Sequence, residues 1–166
     1  MRSVRLSDII PKDAIISDIR SEERDGAILE LLDGLERSGR VKADHREEIL
    51  LALMKREALA STALSDGVAI PHAKVRCVSD FTGALGVSRA GIDFGAQDDR
   101  PVYVVFLFLS PEHAISGHLQ LMAHIGALAR HPQYLRLVRT ARGNAELVQL
   151  VGDAEKLIFK PPGEPI

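Results

Sequence analysis

The chain has 166 residues, a formal net charge of -2 and 46% apolar residues. This length fits one domain with a single core, and the interspersed charges exclude the basic footprint of a protein that binds nucleic acid or a membrane surface. The only cysteine, Cys77, excludes an internal disulfide and a cysteine-based metal cluster, and it fits a reducing cytosol. The longest apolar run, residues 102–109, is too short to span a bilayer.

Capping residues and apolar periodicity predict a helical first half. Residues 6–10 are expected to form a short helical turn and residues 14–17 a strand. Ser21 is the predicted N-cap of an amphipathic helix that ends at Gly39, and its apolar stripe is formed by Ile28, Leu31, Leu32 and Leu35. Asp44 is the predicted N-cap of a second helix, whose stripe is formed by Ile49, Leu50, Leu53 and Met54.

Short apolar runs in the second half predict strands, and a strong helix follows them. The runs at 68–70, 84–87 and 102–109 are partly β-branched, as in buried strands. The helix is expected over 116–130, with a core side formed by Leu119, Met122, Ile125 and Leu128. Two shorter helices at 133–141 and 145–151 precede a tail without regular structure, residues 160–166. The fold class is therefore α/β, a small sheet with helices packed on it.

The segment REALASTALSDGVAIPHAK, residues 56–74, carries the strongest functional signal. It ends in a short strand followed by a Pro-His pair, and the proline restrains the backbone that presents His72. The Arg56 cation and the hydroxyls of Ser61 and Thr62 lie upstream. Together with an imidazole, these groups suit an anion, most commonly phosphate. The residues alone predict an anion-handling histidine site, in which the imidazole is a nucleophile or a ligand.

Plainer interpretations of the same residues stay open. A Pro-His pair at a strand end is also found in simple turns, hydroxyl residues often serve as caps, and an arginine at a helix end is often a surface cation. His118 shares a helix face with Met122 and Ile125, which turns it inward. It is therefore either a core histidine bonded to a carbonyl or a second imidazole beside His72.

Other chemistries lack their motifs in this sequence. There is no HExxH and no i, i+4 histidine pair, so no metal site is expected. There is no G-x-S-x-G elbow of a serine hydrolase and no G-x-x-x-x-G-K-[ST] nucleotide loop. If phosphate is handled, we expect it to arrive on a donor other than bound ATP, without a cofactor.

The segment at 56–74 resembles the signature of the type-2 enzyme IIA domains of the bacterial phosphoenolpyruvate phosphotransferase system, the fructose, mannitol and nitrogen-regulatory group. SPEHAISGHLQLMAHIGALAR, residues 110–130, is similar to that family's second landmark, a proline-containing turn followed by His-Leu at the opening of a helix. The resemblance covers residues 4–152 and leaves a tail at 153–166. It implies a mixed sheet sandwiched between helices in three layers.

The resemblance also implies roles for individual residues. His72 matches the histidine that accepts a phosphoryl group from an HPr-type phosphocarrier, His118 the neighbouring histidine that orients it, and Arg56 the arginine near the phosphoryl charge. Ser61 and Thr62 fall on the hydroxyl positions of the family motif, where they would bind the phosphate.

One departure concerns the loop beside His72. The family usually has glycine at the positions of Ala63 and Ser65, and only Gly67 remains here. Because glycine permits positive φ and close backbone approach, we expect the replacement to alter the loop without removing a group that the reaction needs.

The function implied by the resemblance is that of a cytoplasmic phosphotransferase that carries the phosphoryl group itself. No HPr, IIB or membrane segment is attached in this sequence, which favours the nitrogen-regulatory branch, in which other proteins respond to the phosphorylation state. Two alternatives remain: a fructose- or mannitol-type IIA subunit that passes phosphate to a IIB protein in sugar uptake, and an interaction module that has lost the chemistry. The partners expected are proteins, with no nucleic acid and no membrane insertion.

Overall fold

A five-stranded mixed sheet lies at the centre of the computed structural model, which describes residues 5–158. The strands are β1 (Ile15–Ile16), β2 (Val68–Ala69), β3 (His72–Val75), β4 (Thr82–Ile92) and β5 (Val102–Pro111). β4 and β5 are antiparallel, and β1 is parallel to β4 at the outer edge. β2 and β3 follow one another along the other edge of β5, both parallel to it. The sheet confirms the predicted α/β class.

Helices cover both faces of this sheet. They are α1 (Leu6–Ile9), α2 (Arg24–Arg37), α3 (Arg46–Leu59), α4 (Ile115–Ala129), α5 (Pro132–Thr140) and α6 (Asn144–Ile158). Side chains alternate along a strand, so β5 supplies a core on each side. Its residues 105, 107 and 109 pack with α2 and α3, and its residues 104, 106 and 108 pack with α1, α4, α5 and α6. The expected three layers are therefore present.

The two predicted helix caps are wrong. The N-cap positions of α2 and α3 are occupied by Glu23 and His45, neither of which makes a side-chain capping bond. The Ser21 hydroxyl instead accepts the N–H of Glu23 in the turn before the helix. Asp44 lies in a short 3₁₀ turn, Ala43–His45, that precedes α3. In both cases a local turn displaces the helix start toward the C-terminus.

Three further features of the fold differ from the sequence-based expectation. β3 was not predicted, because four residues are too few for a periodic signal. Leu119, expected on the core side of α4, is 65% exposed. The buried face of α4 carries His118, Leu121, Ile125 and Leu128. α6 continues to Ile158, beyond the helix end expected at residue 151, while the domain end at residue 152 stays a prediction. The predicted irregular tail, residues 160–166, lies outside the described residues.

No helix in the described part of the chain is long and apolar enough to cross a bilayer.

Candidate functional site

Two imidazole rings lie side by side where β3 begins and α4 starts. His72 is the first residue of β3 and is in register with Phe108 of β5, whose N–H donates to the Pro71 carbonyl. His118 lies in the first turn of α4. The ring centroids are 5.7 Å apart and the ring planes are inclined at 43°. The sequence left two interpretations of His118 open, a core histidine bonded to a carbonyl or a second imidazole beside His72, and the structure shows it beside His72.

A backbone contact determines the tautomer of His72. Its Nδ1 lies 2.8 Å from the Ile70 carbonyl oxygen, and a carbonyl oxygen only accepts hydrogen bonds, so Nδ1 carries the proton. Burial lowers the pKa of His72, and Arg56 and Lys74 lower it further, against the opposing effects of the Ile70 contact and the Glu57 carboxylate. The ring is therefore neutral near pH 7, and Nε2 holds the free lone pair.

A buried serine holds the second histidine. The Ser110 hydroxyl lies 2.7 Å from Nδ1 of His118, and Ser110 has no exposed surface. Among residues 5–158 the Ser110 hydroxyl has no other bonding partner. A buried hydroxyl proton left without an acceptor is costly, so Ser110 donates to Nδ1 and Nε2 of His118 carries the proton. Burial, with smaller effects of His72 and Lys74, lowers the pKa of His118.

Two cations flank the histidine pair. The Arg56 guanidinium at the end of α3 is steadied by a 2.8 Å bond from Nη1 to the Ala60 carbonyl. Lys74 lies two residues after His72 on β3, on the same side of the strand, and is in register with Ser110. Both cations act on the pKa of His72. Such an arrangement attracts a phosphate-like anion to the face of the rings.

The two predicted phosphate-binding hydroxyls have partners within the protein. Thr62 donates its hydroxyl to the Glu57 carboxylate, and its N–H donates to the same carboxylate at 3.2 Å. Glu57 and Thr62 are 3% and 5% exposed. The Ser61 hydroxyl donates to the Phe94 carbonyl at 3.4 Å and accepts the Ala63 N–H at 3.2 Å. Phosphate binding by Ser61 and Thr62 therefore stays a prediction, which requires these hydroxyls to exchange partners.

The loop that lacks the family's usual glycines is not strained at those positions. Ala63 forms an antiparallel bridge with Ala69, and neither Ala63 nor Ser65 has a positive φ. The positive φ values fall on Asp66, at 71°, and on Gly67, at 76°. The retained glycine thus occupies one of the two positions that favour it.

Three residues of the site were missed by the sequence-based argument: Glu57, Lys74 and Ser110. Lys74 had a usable signal, because residues i and i+2 of a strand share a face. Ser110 also had a signal, because it is the next residue on the face of β5 that carries residues 104, 106 and 108. Nothing in the sequence indicates that Glu57 is buried, since charged residues on a helix are usually solvated. Within residues 5–158 no group of three His, Cys, Asp or Glu side chains is placed to hold a metal ion.

The fold is that of the IIA proteins of phosphotransferase systems. The crystal structure of Nitrogen Regulatory Protein IIA-Ntr from Neisseria meningitidis matches with a TM-score of 0.79 and 27% identity, covering 88% of this chain and 98% of its own. The family described as "Phosphoenolpyruvate-dependent sugar phosphotransferase system, EIIA 2" matches residues 8–153. The chain belongs to this family.

Its relatives include both sugar-specific and regulatory proteins. The fructose-specific EIIA component of Haloferax volcanii is 37% identical over 89% of this chain and 92% of its own length. The nitrogen regulatory protein of Bradyrhizobium diazoefficiens is 30% identical over 82% of this chain and 88% of its own. The fructose-specific EIIABC component of Bacillus subtilis is longer, and this chain spans 24% of it at 26% identity.

Proposed function

We propose that the protein is a histidine phosphocarrier whose His72 accepts a phosphoryl group from an HPr-type protein. One observation carries this proposal: the bond from Nδ1 to the Ile70 carbonyl leaves Nε2 of a neutral ring as the nucleophile. An imidazole nitrogen held in one tautomer by a backbone acceptor is suited to nucleophilic attack. The phosphorylated nitrogen in this proposal is therefore Nε2.

The chemical step is an in-line exchange between two histidines. The Nε2 lone pair of His72 forms a bond to phosphorus as the N–P bond of the donor's phosphohistidine breaks, and the released electron pair returns to the donor's imidazole nitrogen. Positive charge that develops on the His72 ring is stabilised by the Ile70 carbonyl, which accepts from Nδ1. Phosphoryl transfer depends chiefly on positioning and on charge stabilisation at the equatorial oxygens. Arg56 and Lys74 provide positive charge, and the protonated Nε2 of His118 provides a hydrogen-bond donor.

An exposed apolar rim supports a protein as the donor. Leu59 at the end of α3 and Ile115 and Leu119 on α4 are 79%, 63% and 65% exposed. The two α4 residues lie within one turn of His118. Large aliphatic side chains beside a reactive group are typical of a surface that docks a protein.

The acceptor defines the physiological branch, and we propose the nitrogen-type regulatory role. The similarity to IIA-Ntr and to a nitrogen regulatory protein supports it. Phosphorylation adds about two negative charges beside Arg56 and Lys74, which neutralises the local positive charge that a target protein meets. The 37% identity to a fructose-specific EIIA component favours the second candidate, transfer to a IIB-type protein. Both roles fit a cytoplasmic location.

A phosphotransfer assay tests the first proposal. The purified chain is mixed with enzyme I, HPr and phosphoenolpyruvate, and its intact mass is followed beside that of His72→Ala and His118→Ala. We expect one acid-labile phosphoryl group on the wild type, none on His72→Ala, and slow labelling of His118→Ala. The exposed His113, close in sequence to His118, gives the matched control, and His113→Ala should be labelled like the wild type. Full labelling of His72→Ala would overturn the assignment.

The branch is tested with the phosphorylated chain. Incubation with a fructose-type IIB protein should leave the phosphoryl group on His72 if the role is regulatory. Rapid transfer to the IIB protein would instead establish the sugar-specific alternative. A chain that is never labelled by its own host's enzyme I and HPr would favour the interaction module.

A further inference from the structure

A second cationic site lies away from the histidine pair, in a cleft of about 560 Å³. It is formed by the turn before β2, the start of β5, the end of α4 and one side of α5. Three arginines line it, Arg130, Arg136 and Arg139. None of His72, His118 and Arg56 contributes to its lining, so the cleft is separate from the site of the proposed phosphotransfer.

The charges in this arginine cleft are unbalanced. Its lining contains three guanidinium groups and one carboxylate, that of Asp66, which leaves two net positive charges. Among the described residues none of the three arginines forms an ion pair, with Asp66 or with any other carboxylate. Like charges that converge without internal partners attract an anionic ligand.

Two features prepare the cleft for a ligand. The Arg139 guanidinium stacks on the Tyr103 ring, 3.6 Å from its centroid, which restrains the cation before anything binds. The same ring lies against Gly67, where a Cβ would come within 3.1 Å of it. Val104 and Leu135, which are 2% and 9% exposed, supply an apolar wall. The cleft therefore combines cations with an apolar surface, and its volume falls within the range of small-molecule sites.

We propose that the arginine cleft binds a small phosphorylated molecule, with its phosphoryl oxygens on the guanidinium groups and its organic part on the apolar wall. The planar guanidinium fork matches the oxygens of a phosphoryl group in two-point contacts, and a phosphoryl group carries more charge than a carboxylate. The proposal does not depend on phosphorylation of His72.

Isothermal titration calorimetry of the full chain with inorganic pyrophosphate tests the proposal. We expect saturable binding with a dissociation constant on the order of 1 mM or below. The double variant Arg136→Ala/Arg139→Ala should bind at least roughly tenfold more weakly, which corresponds to the loss of two charge-assisted contacts. Arg136→Ala alone should lose part of the affinity. Because this single variant keeps the Arg139–Tyr103 stack, it still tests the proposal if the double variant does not fold.

Two controls separate the arginine cleft from other cations. Arg89→Ala removes an exposed arginine of β4 outside the cleft and should not change the pyrophosphate affinity. Arg56→Ala removes a cation of the candidate site at His72, so any binding that this variant abolishes belongs to that site and not to the arginine cleft. Succinate, a dicarboxylate that carries less charge than pyrophosphate and lacks phosphoryl oxygens, should bind more weakly than pyrophosphate. Absence of saturable binding, equal binding by wild type and double variant, or sensitivity to Arg56→Ala alone would overturn the proposal. Succinate binding as tight as that of pyrophosphate would overturn the preference for phosphoryl groups.

Discussion

The buried pair Glu57 and Thr62 gives the sharpest test of how the site loop is held. Thr62→Val keeps the side-chain shape and removes the hydroxyl that donates to the Glu57 carboxylate, while the N–H contact at 3.2 Å remains. A hydrogen bond to a charged group contributes about 1.5–3 kcal/mol, and both residues are almost fully buried. We expect the free energy of unfolding to fall by about 2 kcal/mol. With a urea m-value of about 2 kcal/mol/M, the midpoint should fall by about 1 M.

A double-mutant cycle isolates the contact. Glu57→Gln replaces the charged acceptor of the Thr62 hydroxyl by a neutral amide, so the cycle measures how much the charge strengthens this hydrogen bond. The single variants and Glu57→Gln/Thr62→Val should therefore be non-additive by about 1 kcal/mol. Urea unfolding followed by circular dichroism measures all four proteins. Thr140→Val, at an exposed threonine whose hydroxyl donates to the Arg136 carbonyl, is the matched control and should change stability by less than about 0.5 kcal/mol. Additivity within about 0.5 kcal/mol would refute the proposed coupling.

Three further predictions concern the second histidine and the turn before β2. Ser110→Ala should slow phosphoryl labelling of His72 about fivefold, the equivalent of about 1 kcal/mol, because His118 loses the hydrogen bond that sets its tautomer. An unchanged labelling rate in rapid-quench assays would contradict this prediction. Because burial lowers the folded-state pKa of His118, the unfolded chain binds more protons below about pH 6.5, and stability falls as the pH drops there. The stability of His118→Ala, measured in urea, should fall less between pH 7 and 5.5. Gly67→Ala places a Cβ at φ +76°, 3.1 Å from Tyr103, and should cost about 1–2 kcal/mol, whereas Gly126→Ala in open space should not lower the melting temperature.

The elements with long apolar patterns could be predicted from the sequence. The stripe Ile28, Leu31, Leu32 and Leu35 is fully buried, as the 3.6-residue period predicts. β5 could be predicted because the apolar run 102–109, which has no helical period, indicates a strand buried on both faces. β3 and the two helix starts were not found. Four residues carry no period, and the competition between a capping hydroxyl and a local turn is decided by tertiary contacts.

The sequence indicates those candidate site residues that lie close to one another along the chain. His72, Arg56 and the hydroxyl pair lie within one segment, whereas the partner of His118 could be identified only after β5 and α4 were placed in space. The burial of Glu57 likewise follows from how the end of α3 meets the loop, not from its neighbours in the chain. The arginine cleft combines residues from four elements, so no local pattern indicates it.

The same surroundings suit both states of His72 in the proposed reaction. Before transfer, burial and the cations Arg56 and Lys74 lower the pKa of the ring, which keeps Nε2 unprotonated and available for attack. After transfer, those cations face about two added negative charges, and their effect changes from repelling a ring proton to stabilising the phosphoryl group. The proposed transfer does not use the Nδ1 proton, so the bond from Nδ1 to the Ile70 carbonyl is compatible with both states. The ring therefore does not need to flip between acceptance and donation, which favours reversible transfer between protein partners.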